Sequence, residues 1–202
     1  AINDVGIKNC IDQLNGIGLE HFVFVSTCSN YGLIEGNQLA DEDYELKPLS
    51  LYAKSKVATE QYIMNLKGKV DYTPTVLRFA TAFGLSTRMR FDLTVSEFTR
   101  ELAFGRELLV YDANTWRPYC HVRDFGRLIE KVIKAPAGQV AFEVFNAGRE
   151  ANNYTKKGIV DAILEQLPSA NVKYKEHGVD PRNYRVDFSK VKKILGFEPK
   201  YT

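Results

Sequence analysis

The chain has 202 residues, 45% of them hydrophobic and 26% charged, with a formal net charge of +2. A length and balance of this kind suit a globular core of one or two domains, exclude a disordered chain, and give no reason to expect nucleic acid as a partner. Cys10, Cys28 and Cys120 are odd in number and widely spaced, which fits neither a disulfide framework nor a zinc site; a reduced, cytoplasmic protein without a bound metal is expected.

Residues 3–14 carry apolar side chains at helical spacing (Val5, Ile7, Ile11, Leu14), and Gly16 and Gly18 then break the helix. The run 21–26 is short, apolar, β-branched and aromatic, as in a parallel strand covered on both faces. A loop with Gly32 and Gly36 follows, then a second helix over about 50–66 stopping near Gly68, then a strand over 74–79. Strand, crossover helix and strand of these lengths form a βαβ unit, so a parallel sheet is expected. Farther on, the pattern predicts helices over about 93–104, 122–133, 156–166 and 189–195, with strands over 108–111 and 142–145. No apolar run approaches the length of a membrane span, no secretory signal opens the chain, and its first residues read as a domain already in progress.

Tyr52 and Lys56 lie four apart on the second helix, so they share one face. An isolated tyrosine, with a pKa of about 10, is a poor base near neutrality, and a nearby ammonium favours its phenolate. Taken alone, Tyr-x-x-x-Lys is more often a solvated helix face, and this chain has 11 tyrosines. Position strengthens the case. Ser26-Thr27-Cys28 stands at the carboxyl end of the first strand, where open α/β sheets bind ligands. A hydroxyl there can share a substrate oxygen with a tyrosine on the following helix.

The stretch Val25-Ser26-Thr27-Cys28-Ser29-Asn30-Tyr31-Gly32, with Leu51-Tyr52-Ala53-Lys54-Ser55-Lys56 after it, resembles the extended short-chain dehydrogenase/reductases, and more narrowly their nucleotide-sugar epimerase/dehydratase group. The resemblance implies an α/β fold: a doubly wound, Rossmann-like parallel sheet lacking its first half, with a smaller C-terminal α/β substrate-binding region. Residues 1–85, rejoined by about 119–147, would be the rear of the cofactor domain, and 86–118 with 148–202 the substrate region. It implies Thr27, Tyr52 and Lys56 as catalytic residues and NAD as cofactor, with NADP as the alternative. Asn3, Ser26, Tyr52, Lys56 and Phe79 would face that cofactor. Leu77-Arg78-Phe79-Ala80-Thr81-Ala82-Phe83-Gly84 resembles the strand whose end meets nicotinamide and sugar, and Arg117-Pro118-Tyr119-Cys120-His121-Val122-Arg123-Asp124 the segment whose arginine reaches a diphosphate. The segment 180–187 similarly points to Arg182. Thr27, Thr81, Ser96, Arg117 and Arg182 are thus the expected contacts to a nucleotide-diphosphate sugar, with His121 a structural residue. Relatives commonly pair as homodimers, through the helix of Tyr52 and the one that starts near Asn3. Val57, Tyr62, Ile63 and Leu66 would then serve that interface or, more simply, the intramolecular core.

Two departures shape the expectation. No Gly-x-x-Gly-x-x-Gly follows a strand anywhere in the sequence, so most of a pyrophosphate site is missing and these residues alone are expected to be inactive. Sugar 4,6-dehydratases carry Asp-Glu directly after the catalytic threonine, where this chain has Cys28 and Ser29. Elimination of water needs that added acid and base, so epimerisation is favoured, with ketoreduction or dehydration as alternatives and a catalytically silent binding or scaffold protein as the reading from another class.

Overall fold

A computed structural model describes residues 2–176 and 182–201. The expected first helix opens as a π-helical turn, Ile2–Gly6, and continues as α1, Ile7–Asp12. Strand β1, His21–Thr27, is followed by a short 3-10 turn over Cys28–Tyr31 and by helix α2, Leu51–Met64. Ser50 starts α2 because its hydroxyl accepts from the Ala53 N–H at 3.1 Å, satisfying one donor that the first helical turn leaves open. Next come β2, Thr73–Phe79, β3, Thr81–Phe83, α3, Thr94–Ala103, and β4, Leu108–Tyr111. The chain goes on through β5, Trp116–His121, α4, Val122–Lys134, α5, Ala137–Val140, and β6, Glu143–Ala147. It finishes with β7, Asn153–Thr155, α6, Lys156–Leu164, β8, Val172–Lys175, and α7, Ser189–Leu195.

The principal sheet has the order β1-β2-β6, all parallel. Its strands alternate sides, so registered residues form rows. Phe24, Val76 and Val144 stand in one row, against Ile11 of α1 and Ile63 of α2. Leu77 and Phe145 stand in a row on the other face, against Phe125, Leu128 and Val132 of α4 and Val191 and Leu195 of α7. Helices thus cover both faces, the arrangement that makes parallel strands read as continuous apolar runs. Among the described residues the outer edge of β1 has no strand beside it, and Val25 is 39% exposed there. Ile63 is buried, and Tyr62 and Leu66 pack against the same cluster, so these residues serve the intramolecular core.

A separate apolar cluster joins Phe98 and Leu102 of α3, Leu108 and Val110 of β4, Tyr119 of β5, and Ile159 and Val160 of α6. Around it lie elements that the apolar pattern did not predict. Strand β5 pairs with β3 through Tyr119–His121 and with β7 through Trp116–Pro118. Pro118 at its centre lacks an N–H, which in a sequence argues against a strand; here each half of the strand uses a different neighbour. Strand β8 pairs in parallel with β4.

Candidate active site

Strand β1 delivers Thr27 to the carboxyl end of the sheet in an extended conformation, and its Oγ1 accepts from the Ser29 N–H at 3.1 Å. That bond caps the 3-10 turn and leaves the hydroxyl proton to point elsewhere. Gly32 ends the turn with φ +73°, and a Cβ there would lie 2.1 Å from the carbonyl oxygen of Lys47. The turn therefore presses directly on the segment that feeds α2, and so fixes where α2 begins.

A cleft of about 650 Å³ opens where these elements meet. Its wall includes Thr27 at the end of β1 and Ser29 after it, Tyr52 on α2, Phe79 at the end of β2, Thr81 on β3, and Arg117 on β5. Arg182 and Tyr184 close it from the C-terminal segment. Tyr52 is half exposed, and Phe79 stacks on Phe125 with ring centroids 3.7 Å apart. The Arg117 guanidinium lies 5.3 Å from the centre of the buried Tyr184 ring, whose hydroxyl is 3.3 Å from Ser29 Oγ. Sequence and structure thus bring Thr27, Tyr52, Phe79, Thr81, Arg117 and Arg182 to one hollow.

Lys56 stands one turn behind Tyr52. Its ammonium donates to the Val25 carbonyl at 2.8 Å and lies 4.6 Å from the centre of the Phe24 ring and 5.8 Å from that of Tyr52. Burial pushes the Tyr52 phenol above its ordinary value. It also lowers the Lys56 ammonium, with the Glu60 carboxylate opposing that shift. The direction at Tyr52 is thus set by desolvation, opposite to the lowering expected from Lys56.

Two expected site residues fall elsewhere. Ser26, next to Thr27 on an alternating strand, faces the other way; it is buried, and its hydroxyl donates to Glu60. Ser96 lies two residues beyond the cleft-lining Thr94 on α3, about 200° around the helix, and does not line the cleft. Asn3 belongs to the first helical turn, and its side chain lies outside the described residues. His121 holds structure: its Nδ1 accepts from the Arg123 N–H at 3.1 Å, and its ring stacks on Tyr201 at 4.5 Å.

Several cleft residues escaped the sequence reading: Ser29 as a wall residue, Arg90, Asp92, Lys156 and Tyr184. Tyr184 had a findable signal, because residues two apart in an extended segment face the same way and Arg182 had already been singled out. Arg90 and Asp92 pair bidentately, at 2.7 and 2.6 Å, and this hydrogen-bonded arginine lowers the Asp92 carboxyl to about 2. Cys28 turns into the core and donates to the Arg78 carbonyl at 3.1 Å, while burial pushes its thiol up.

The residues present fit the nicotinamide end of NAD. Tyr52 and Phe79 line the cleft at the carboxyl ends of the strands. Lys56 borders a second hollow of about 310 Å³, walled by Gly6, Ile7, Cys10 and Phe24. A glycine turn able to cradle the pyrophosphate is not among the described residues.

Residues 2–148 match the model of the NAD dependent epimerase/dehydratase family. An uncharacterised protein of Methanocaldococcus jannaschii is 26% identical over 99% of this chain and 60% of its own length. UDP-glucuronate 4-epimerase of Thermodesulfobacterium geofontis is also 26% identical, over 98% of this chain and 60% of its own length. The crystal structure of UDP-glucuronic acid 4-epimerase from Bacillus cereus, in complex with UDP-glucuronic acid and NAD, superposes with a TM-score of 0.87. That match is 21% identical, covering 99% of this chain and 63% of the other. The chain thus spans about 60% of the length of the curated relatives it matches.

Proposed function

The chain belongs to the NAD dependent epimerase/dehydratase family, and from that membership we propose that its protein is an NAD-dependent nucleotide-sugar epimerase with Thr27, Tyr52 and Lys56 as the catalytic set. The observation that carries this is that Thr27 and Tyr52 line one cleft together with Arg117 and Arg182: a pair suited to proton handling and two forks suited to phosphate. NAD, when bound, supplies the hydride chemistry. The chain's own residues do the rest. Tyr52 takes the proton from a sugar hydroxyl, Thr27 donates its free hydroxyl proton to the same oxygen, and Lys56 supports the phenolate and holds the ribose. Arg117 and Arg182 grip the diphosphate so that the sugar meets Tyr52 in one orientation.

Epimerisation is preferred to dehydration on the chemistry after Thr27. Cys28 is buried away from the cleft and Ser29 is no acid. The carboxylate of the described cleft residues, Asp92, is ion-paired to Arg90 and kept ionised, so it has no proton to give. The experiment is a panel of nucleotide-diphosphate sugars given to the complete gene product, following epimer ratio and transient NADH together. Interconversion of epimers without net NADH supports the reading, and a dehydrated keto-sugar product overturns it. A homodimer through α2 belongs to the same proposal; Ile2, Val5 and Leu51 are exposed.

Two expected results arise directly. Arg117→Met raises KM for the nucleotide sugar about ten- to a hundredfold with kcat changed far less, because a charge-assisted contact of about 1.5–3 kcal/mol is lost in ground and transition states alike; an unchanged KM removes Arg117 from the diphosphate site. The pH profile of kcat/KM rises along a limb set by Tyr52 deprotonation. Lys56→Met deletes a cation beside the phenol, which disfavours phenolate, so that limb moves to higher pH by about one unit or more. A stationary or downward-moving limb would show that Lys56 does not support Tyr52.

A further inference from the structure

We propose that Glu60 and Arg78 are a positioning pair for this reaction, a buried clamp that fixes Thr27, Tyr52 and Lys56 relative to one another; the inference rests on the function proposed above. Glu60 follows Tyr52 and Lys56 at the same four-residue spacing on α2, so all three lie along one face. Its side chain is 4% exposed and that of Arg78 is 5% exposed. The guanidinium grips the carboxylate three times, Nη2 to Oε2 at 2.8 Å and Nε to Oε2 at 3.1 Å and to Oε1 at 3.3 Å.

Stability alone is a poor reason for such a pair. Desolvating two charges costs as much as their attraction returns, and apolar replacements of both partners are often neutral or stabilising. What the pair does have is reach. Glu60 Oε1 accepts from the Ser26 hydroxyl and from Asn30 Nδ2, the latter at 2.8 Å. Arg78 Nη1 donates to the Tyr31 hydroxyl and to the Glu42 carbonyl, both at 3.0 Å. One ion pair therefore ties α2 to the end of β1, to the 3-10 turn behind it, and to the end of β2.

Strand alternation gives the clamp its purpose. Ser26 faces inward to Glu60, so its neighbour Thr27 faces the cleft; Arg78 faces inward, so its neighbour Phe79 faces the cleft. The three elements that the clamp joins are those that carry Thr27, Tyr52 with Lys56, and Phe79. Lys56 adds a parallel tie through its 2.8 Å bond to Val25. Glu60 and Arg78 do not line the cleft, so they act through the residues beside them.

The test uses the complete gene product and two variants. Glu60→Gln/Arg78→Met removes both charges together and leaves no orphan ion. Ser26→Ala cuts only the tie from β1 and keeps the ion pair. Loosening by an ångström costs up to a hundredfold in rate, so kcat is expected to fall about tenfold or more in the double variant and several-fold in Ser26→Ala. KM for the nucleotide sugar stays within about threefold, and circular dichroism and melting remain those of a folded protein. Wild-type kcat in both folded variants, or a loss that merely follows the folded fraction, overturns the clamp. If the double variant does not fold, Ser26→Ala decides alone: unchanged kcat refutes it. A wild-type protein inactive on every nucleotide sugar is a different outcome, one that removes the proposed function and the clamp with it.

Discussion

Replacing Tyr52 by Phe slows turnover by at least about a hundredfold while the protein stays folded, because general acid–base catalysis by one positioned group contributes roughly 10²–10⁴ in rate. The substitution deletes one oxygen from a half-exposed ring, so packing of α2 against β1 and β2 is unaffected. The expected signature is loss of kcat with a nearly unchanged KM, since the diphosphate grip proposed for Arg117 and Arg182 is left untouched. Circular dichroism and a melting curve alongside the epimer assay separate chemistry from folding. A rate near that of wild type removes Tyr52 as the base and leaves the proposed mechanism without a proton acceptor.

The largest stability effect is expected at Gly32, which ends the turn after Thr27. Its φ of +73° comes with ψ of −116°, a combination that side-chain-bearing residues occupy only at a cost of about 1–3 kcal/mol. An alanine methyl would also lie 2.1 Å from the Lys47 carbonyl oxygen, and a backbone oxygen cannot swing aside as a lysine tip can. Gly32→Ala should therefore cost about 3 kcal/mol or more, roughly 6–12 °C in Tm for a domain of this size. The relief available is to push away the segment before Ser50, which would shift α2 and lower kcat in whatever protein remains folded. A Tm within about 2 °C of wild type, the shift of 1 kcal/mol or less, would mean that the turn has room that its geometry denies.

The parts of this molecule that were legible from sequence are those where one strong local signal decides. The apolar run before Thr27 could only be a covered strand, and Ser50 at the head of a periodic stretch gave the start of α2 to within a residue. Strands β5, β7 and β8 were not legible, because Pro118, Asn153 and the lysines of 172–175 carry weak or contrary preferences that tertiary pairing overrides. Within the site, resemblance supplied residue types but not directions. Ser26 and Ser96 are hydroxyls in plausible places, and each is turned away by the period of its own strand or helix. Arg90, Asp92 and Lys156 reach the cleft from segments far apart in sequence, which no local pattern brings together. Glu60 and Arg78 show a different gap: no local pattern marks either residue for a role, and both are buried.

Among the described residues, the edge of β1 that no strand covers carries a hazard of its own. A parallel strand with a bare row of backbone donors and acceptors is a template on which another chain can add a strand, and natural sheets blunt such rows with inward-pointing charge, lysine above all. Lys56 is a lysine of this kind: its ammonium donates to the Val25 carbonyl of β1. The lysine proposed for the catalytic set is thereby also placed to act as a gatekeeper against strand addition at an edge left uncovered among the described residues, and an apolar substitution there is expected to lower solubility.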